Sequence, residues 1–358
     1  MTSKKGPCNM SPFSFLKYAI ILFMNTKNSH GFLPVFAALT GNVFIMILKW
    51  IGFFMTGSSA LFSEAIHSIA DVVNQILLMV GIKKSQRPSD EDFHYGYGNE
   101  RFFWALISAC SIFFLGAGIT LYHGLMGFLH EEKIQISSVA FVILAISFVI
   151  EAGTFSIALR ELRSKNKKRK WKEIFAYGDP TTIAVLLEDA VAVLGVSVAF
   201  VSIFLSKLTG NAYWDSIGSI IIGLLLGGMA VVLIAINRGF LMRKSIPEEI
   251  EERVIEILLS DPAIEKVLDF KSVVMDVGIY HVKCEVEFNG SALMRKMYRE
   301  KALKKEFEEI KNEYNDFLKF CVNYADRVPR MIGTRIDEVE KKIKDEIPHV
   351  GYIDIEVN

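Results

Sequence analysis

Six long apolar stretches follow one another along the first two thirds of the chain. Crossing about 30 Å of hydrocarbon takes roughly 20 apolar residues in a helix. The segments that reach this length run near Pro34–Met55, Ser58–Ile82, Phe102–Phe128, Ser138–Leu159, Thr181–Leu205 and Ile217–Ile236. The pattern predicts an all-α membrane region of six transmembrane helices over residues 32–244. A shorter stretch, Phe13–Met24, is interrupted by Lys17 and favours an interfacial or signal-like helix within an N-terminal segment, residues 1–31.

From Pro247 onward the pattern changes to that of a small α/β domain over residues 245–358. Glu248–Leu259 has helical periodicity, with acidic residues in its first turn. Two alternating strands, a long charged helical stretch, an amphipathic helix and a last strand follow at Lys266–Asp276, Ile279–Phe288, Leu293–Tyr324, Ile336–Ile347 and Gly351–Val357. This αββ-α-αβ order predicts an open sheet with helices on one face and a helical insertion at about 292–325. We interpret the charges of the insertion as a solvated helix face, with a partner-binding surface as the alternative.

Charge divides the chain at the same place. The 358 residues include 40 Lys+Arg and 40 Asp+Glu, and the mean hydropathy of +0.33 is unusual for a soluble protein. Residues 1–244 carry 22 basic and 15 acidic residues, a net charge of +7, whereas residues 245–358 carry 18 and 25, a net charge of −7. This split favours a membrane region followed by an acidic soluble region. The four cysteines include no CxxC pair, which argues against a disulfide framework and a zinc finger.

Basic residues flank the apolar stretches unevenly. They cluster at residues 83–87 and 160–172, whereas the alternate connections hold little beyond Lys133 and Lys207. By the positive-inside rule, both termini should face the cytoplasm. We expect a multi-pass protein of the plasma (inner) membrane, with an organellar membrane as the alternative.

Polar residues lie on one face of the second predicted helix. Glu64, His67, Asp71 and Asn74 are spaced by 3, 4 and 3 positions. His67 and Asp71 are an i,i+4 pair, so an imidazole and a carboxylate can point at one spot. Ionisable groups are costly inside a membrane and normally face a polar interior. A neutral imidazole with a carboxylate suits a borderline divalent ion such as Zn²⁺, and the alternative is a buried ion pair that fixes helix packing.

The other predicted helices add further candidates. Glu188 and Asp189 are adjacent in the fifth helix and project about 100° apart, so we expect only one of them to face the site. A partly protonated structural pair is the alternative. Glu151 is a candidate fourth ligand or proton carrier, and Asn42 could supply a carbonyl oxygen. Lys49 is expected to pair with an acid or to extend outward.

A second polar group precedes and begins the third predicted helix. His94, Glu100 and Arg101 could form a relay for the incoming ion, or a charge interlock, which we favour. His281 and His349 in the tail are isolated histidines, and we predict no strong metal site there.

Together these segments resemble the cation diffusion facilitator family over about residues 34–358. The resemblance rests on SSALFSEAIHSIAD in the second helix, HYGYGNERFFWALIS entering the third, LLEDAVAVLGV in the fifth and WDSIGSIIIGLLLG in the sixth. In the tail, VKCEVEFNG and GTRIDEVEKKIKDEIPHVGYIDIEV look like the branch that includes zinc transporter 9 and its bacterial relatives.

The resemblance implies particular ligands. The family's second-helix HxxxD pattern maps onto His67 and Asp71, and its fifth-helix pattern of His or Asp, three residues and Asp maps onto Val185 and Asp189. Val185 cannot ligate a metal, so the implied set has three members. A fourth ligand must come from Glu188, Glu151, Asn42, Glu64 or water.

The resemblance also implies an activity and partners. It implies a homodimer in lipid, a ferredoxin-like cytoplasmic domain, and efflux of Zn²⁺ in exchange for protons by alternating access. Zn²⁺ would be the transported substrate, with no organic cofactor, no nucleic-acid partner and no enzymatic activity. The chain has no P-loop motif, which agrees with transport without ATP. The alternatives are an exporter of Mn²⁺, Fe²⁺, Co²⁺ or Ni²⁺, an intramembrane metal hydrolase, or a non-transporting scaffold with an acidic tail.

Overall fold

The structure is a computed structural model that describes residues 32–130, 138–165, 174–175, 180–297 and 300–358. The predicted segment Phe13–Met24 lies outside the described residues. The helices before the tail are α1 (Phe32–Thr56), α2 (Ser59–Ser85), α3 (Glu100–Ser111), α4 (Gly118–Leu129), α5 (Ser138–Lys165), α6 (Pro180–Thr209) and α7 (Tyr213–Leu241). The tail contains α8 (Glu248–Leu259), β1 (Ile264–Asp276), β2 (Ile279–Phe288), α9 (Gly290–Met297), α10 (Glu300–Ile310), α11 (Tyr314–Glu346) and β3 (Val350–Val357).

Five helical stretches in the described part of the chain are long and apolar enough to cross a membrane. They are Ser59–Ser85, Glu100–Leu129, Ser138–Ser164, Thr182–Thr209 and Tyr213–Leu241. Each coincides with one of the predicted spans. Within α1, the stretch Gly41–Thr56 is also apolar, and the first predicted span, Pro34–Met55, stays a prediction.

A π-helical segment interrupts the third predicted span and was not foreseen. Residues Ile112–Ala117 join α3 to α4 without a break in the helix. A Cβ built on Gly116 of this segment would lie 3.8 Å from the Cβ of Ala70 in α2. In a π-helical turn the backbone hydrogen bonds join residues five apart instead of four. The hydropathy of the sequence does not show this difference.

The membrane helices surround an apolar core that is interleaved with small polar side chains. Buried members such as Leu61, Leu144, Ile203 and Leu226 belong to one hydrophobic cluster. Asp215 is fully buried in the first turn of α7. Its carboxylate accepts hydrogen bonds from the Ser58 hydroxyl, at 2.6 Å, and from the Ser59 amide. Asp215 therefore caps the N-terminus of α2 from a neighbouring helix.

The tail folds around a three-stranded sheet with strand order β1-β2-β3. β1 and β2 pair antiparallel, with a turn at Gly278 (φ +74°), and β3 joins β2 in parallel. Val282, Cys284 and Val286 alternate along β2 and are fully buried. This confirms the predicted hairpin and last strand; a ferredoxin-like fold remains a prediction.

The helical part of the tail differs from the prediction of a separate arm and helix. α11 is continuous over 33 residues and contains Pro329. The last part of the predicted arm, from Tyr314, and the predicted helix at Ile336–Ile347 therefore share one helix, and the insertion at about 292–325 stays a prediction. The surface around Pro329 is exposed, so water can satisfy the carbonyl that the missing proline N–H leaves unpaired.

The chain divides into two compact units. One holds α1–α7 as far as Asn237, apart from the segment Lys84–Glu100, and the other holds that segment together with Arg238–Asn358. Within the second unit, the Tyr95 ring lies 5.3 Å from the rings of both His281 and Tyr352. The segment between α2 and α3 therefore packs on the sheet.

Candidate metal site

The polar face of α2 is buried, as the spacing predicted. Glu64, His67 and Asn74 are almost completely buried, and Asp71 is partly buried. The His67 Nδ1 atom lies 3.4 Å from the Asp71 Oδ1 atom. Among the described residues, neither His67 ring nitrogen makes a hydrogen bond. Buried polar atoms rarely lack a hydrogen bond, so the imidazole beside Asp71 is suited to bind an ion.

A small cavity of about 30 Å³ lies between α1, α2, α5 and α6. It is large enough for one water molecule or a bare ion. Four carboxylates line it, together with two amides, two hydroxyls and three apolar side chains: Asp71, Glu151, Glu188, Asp189, Asn42, Gln75, Ser68, Thr154, Ile45, Val185 and Ala192. Five predicted site residues are therefore brought to one place, whereas Glu64 and His67 are not among the lining residues.

Glu188 and Asp189 both line this cavity. This contradicts the expectation that only one of the two faces the site. The cavity is bounded by four helices, so it meets α6 over a wide sector, and side chains 100° apart both reach it. Val185, one turn before Asp189, presents its apolar side chain to the same cavity.

Two residues that were not predicted as site residues hold Glu188 in place. The Asn74 amide donates a hydrogen bond to Glu188 Oε1, and the Ser108 hydroxyl donates one to Asn74 Oδ1. Asn74 falls on the polar face of α2, so the spacing could have identified it. Ser108 lies in an apolar helix and gives no signal in the sequence.

Lys49 is completely buried and joins two of the candidate carboxylates. Its Nζ atom lies 2.7 Å from Glu64 Oε2 and 2.6 Å from Glu151 Oε1. This confirms the expectation that Lys49 pairs with an acid. A Cβ built on Gly195 of α6 would lie 2.2 Å from Glu64 Oε1, so this glycine leaves the space that Glu64 occupies. The ammonium and the two carboxylates connect α1, α2 and α5.

The candidate ligands are near one another, but their side chains do not surround a common point. Within the described residues, no group of three His, Cys, Asp or Glu side chains is arranged to hold a metal ion. His67 and Asp71 form one pair, and Glu188 and Glu151 are engaged with Asn74 and Lys49. Binding an ion with three protein ligands therefore requires side chains or helices to move.

The residues predicted to form a relay or interlock lie at the start of α3 and just before it. His94 is exposed, and the Glu100 carboxylate lies 3.9 Å from Lys84 Nζ. Arg101 is partly buried. The ion pair fits a charge interlock within the second unit, and the role of all three residues stays a prediction.

Comparisons with known proteins agree with the predicted family. Residues 35–242 match the family model described as the cation efflux transmembrane domain. The human proton-coupled zinc antiporter SLC30A9, mitochondrial, is 38% identical over 324 residues, which is 88% of this chain and 56% of that protein. Metal tolerance protein C4 of Arabidopsis thaliana is 33% identical over 341 residues, 93% of this chain and 74% of that protein. The manganese efflux system protein MneP of Bacillus subtilis is 26% identical over 222 residues, 60% of this chain and 70% of that protein.

The comparisons also correct one expectation. The human relative is mitochondrial by name, so the expectation of a plasma (inner) membrane is wrong. Basic residues indicate on which side a loop lies, and they do not distinguish one membrane from another.

This chain spans a little over half the length of that relative. The family model covers more than half of the chain, and the plant relative is matched over about three quarters of its length at 33% identity. The chain therefore belongs to the cation efflux family, the cation diffusion facilitators that its motifs predicted.

Proposed function

We propose that this protein exports Zn²⁺ across a membrane in exchange for protons. The observation that carries the proposal is the carboxylate-lined cavity between four helices of the membrane region, beside the His67–Asp71 pair. Ionisable residues in a membrane usually mark an ion pathway. The printed names of the relatives support the same activity: a proton-coupled zinc antiporter and a metal tolerance protein. The relatives compared above are named for metal transport or tolerance, which speaks against an intramembrane hydrolase.

In this proposal, His67, Asp71 and Asp189 bind the ion first. Imidazole and carboxylates ligate a metal only in their deprotonated forms, so loading releases protons and protons on the far side release the metal. Glu188 and Glu151 are available in the same cavity for the coordination position that Val185 cannot fill. Glu64 does not line the cavity, so we assign it no ligand role.

The proposed carrier is a homodimer of six-helix subunits with both termini on one side of the membrane. Five apolar helices and the α1 segment Gly41–Thr56 support six spans. The sheet and its helices support a ferredoxin-like domain. The mitochondrial relative supports an organellar membrane.

A second candidate substrate is Mn²⁺. Every polar side chain that lines the cavity offers oxygen: four carboxylates, two amides and two hydroxyls. Oxygen donors suit Mn²⁺, whereas imidazole favours Zn²⁺. The Bacillus subtilis relative is named for manganese efflux. Zn²⁺ and Mn²⁺ therefore differ in whether the ion is expected to bind the His67 imidazole.

The test is metal uptake into proteoliposomes under an imposed pH gradient, with dyes for metal and for protons inside. We expect Zn²⁺ influx coupled to proton efflux, abolished by Asp71→Asn and by Asp189→Asn. Asp269→Asn, which changes an exposed carboxylate in β1, is the control and should transport normally. A folded protein that moves neither Zn²⁺ nor Mn²⁺ would contradict the proposal and favour a scaffold. Mn²⁺ uptake that survives His67→Ala while Zn²⁺ uptake is lost would identify Mn²⁺ as a substrate.

A further inference from the structure

Lys49 has no role in the ion site described so far, although its side chain is completely buried. A buried ammonium is costly unless it is paired, and Lys49 is paired with two carboxylates, Glu64 and Glu151. One ammonium can balance only one ionised carboxylate. The three side chains are therefore not a simple one-to-one ion pair.

The two partners of Lys49 differ in their surroundings. Glu151 lines the cavity together with Asp71 and Asp189, whereas Glu64 is not a lining residue. Glu64 is fully buried, and the missing side chain of Gly195 leaves the space for its Oε1 atom, which makes no hydrogen bond among the described residues and lies away from the cavity lining. The second Glu151 oxygen, Oε2, makes no hydrogen bond among the described residues. Glu151 is thus bound to Lys49 by one oxygen and has a second oxygen available at the edge of the cavity.

The charge of the cavity bears on the ion pair between Lys49 and Glu151. Its lining contains four carboxylates and neither Lys nor Arg. Without an ion, protons on the lining carboxylates and the Lys49 ammonium at Glu151 together reduce the repulsion among these groups. A divalent ion that enters the cavity supplies positive charge. The Glu151 carboxylate can then be balanced by the ion instead of by Lys49.

We propose that Lys49 is a resident cation and that Glu151 exchanges it for the transported ion. In the empty carrier, Glu151 binds Lys49; in the loaded carrier, it turns toward the ion and supplies the oxygen that Val185 cannot. Glu64 stays with Lys49 in both states. Lys49 is then a positioning residue that competes with the ion for one ligand, which weakens binding and speeds release.

This inference rests on the proposed export function, and its test separates the two. The measurement is the KM and the maximal rate of Zn²⁺ uptake by the full-length protein in proteoliposomes. Two isosteric variants, Glu151→Gln and Glu64→Gln, each remove one carboxylate from Lys49. We expect Glu151→Gln to raise KM at least about tenfold, as loss of a ligand does. Glu64→Gln removes no ligand, so it should raise KM clearly less than Glu151→Gln does.

A third variant removes the competitor. Lys49→Met combined with Glu64→Gln deletes one positive and one negative charge and leaves Glu151 without its ammonium. We expect a lower KM and a lower maximal rate, because the ion is held more tightly and leaves more slowly. A purely structural Lys49 would not lower KM.

Three results would overturn the inference while wild-type transport is intact. The first is an equal KM for Glu151→Gln and Glu64→Gln. The second is an unchanged or higher KM in the double variant. The third is failure of Glu151→Gln to fold, since an exchange requires that the fold survive when Glu151 leaves Lys49. Absence of metal flux in the wild-type protein would instead contradict the export function itself.

Discussion

At the scale of single residues, the candidate site depends on side chains that hydrogen-bond to the candidate ligands and fix their positions. Asn74 is nearly buried, donates to Glu188 and accepts from Ser108, so both ends of its amide are used. An amide held at both ends fixes the carboxylate that it contacts. Residues that orient a metal ligand typically affect metal affinity almost as strongly as the ligand itself.

Replacing Asn74 by alanine should therefore weaken ion binding. We expect Asn74→Ala to raise the KM for Zn²⁺ by about 10- to 100-fold. The free energy of unfolding should also fall, by about 1–3 kcal/mol, because Glu188 and Ser108 lose a buried partner. The measurements are Zn²⁺ uptake by proteoliposomes and thermal unfolding of the purified protein.

Ser108→Ala is the matched variant, since it removes only the far end of the same chain of hydrogen bonds. Its effect on KM should be smaller than that of Asn74→Ala. If Asn74→Ala lowers stability and leaves KM unaltered, Glu188 is not a residue whose position matters for the ion.

The sequence predicted the residue types of the site well and their partners poorly. Helical spacing placed Glu64, His67, Asp71 and Asn74 on one buried face. It could not show that Glu64 binds Lys49 of α1, or that Asn74 binds Glu188 of α6. Spacing describes one helix, whereas these pairs depend on how separate helices pack together.

At the scale of elements, the predictions held where one physical signal defined the boundary. Acidic residues in the first turn marked α8, and alternation marked the hairpin of β1 and β2. The π-helical segment and the uninterrupted α11 were not predicted. A π turn leaves composition and hydropathy unchanged, and Pro329 is tolerated inside an exposed helix.

The segment Lys84–Glu100 shows how sequence detail fixes a loop. The Asp90 carboxylate accepts hydrogen bonds from the Phe93 amide, at 2.9 Å, and from the Tyr97 hydroxyl, at 2.6 Å. The Tyr97 hydrogen bond is the main reason that the pKa of Asp90 lies below its usual value. Arg87 lies 4.2 Å above the Tyr97 ring. The loop is thus a folded part of the second unit.

Gly98 is the position where this loop approaches the sheet most tightly. A Cβ built there would lie 2.6 Å from the Met275 carbonyl oxygen and 2.9 Å from the Asp276 Cβ. Both obstacles are at the backbone of β1, so Gly98→Ala must displace the loop. We expect a lower thermal unfolding midpoint and faster hydrogen exchange over residues 84–100, measured on the full-length protein by mass spectrometry.

Gly290→Ala is the control for this prediction. A Cβ on Gly290, at the start of α9, would meet nothing within 4 Å. It should leave both quantities close to the wild-type values. Normal exchange over residues 84–100 in Gly98→Ala would show that the loop does not depend on this contact.

At the scale of the whole molecule, charge, hydropathy and structure divide the chain in similar places. The basic, apolar region holds the match to the family model, residues 35–242, and the acidic region holds the sheet. The number of membrane crossings depends mainly on α1. Its 25 residues are enough to span a membrane, and its part Gly41–Thr56 is apolar.

Native and introduced cysteines can count the crossings. In membrane vesicles of one orientation, a membrane-impermeant maleimide labels only cysteines on the outer side. Three single-cysteine proteins are needed: one that keeps Cys8, one with Ser89→Cys between α2 and α3, and one with Asn211→Cys between α6 and α7. Ser89 and Asn211 are both exposed, so labelling of either position reports its side of the membrane.

Six crossings put Cys8 and Ser89→Cys on one side and Asn211→Cys on the other. Two spans (α1 and α2) separate Cys8 from Ser89, and three spans (α3–α4, α5 and α6) separate Ser89 from Asn211. This is the expected result, and it agrees with the clusters of basic residues at 83–87 and 160–172. Labelling of Cys8 together with Asn211→Cys would mean that α1 does not cross the membrane. In that case Asn42 could not line the cavity, and Lys49 could not pair with Glu151, in the way the structure shows. The labelling pattern therefore tests the contribution of α1 to the ion site, as well as the number of spans.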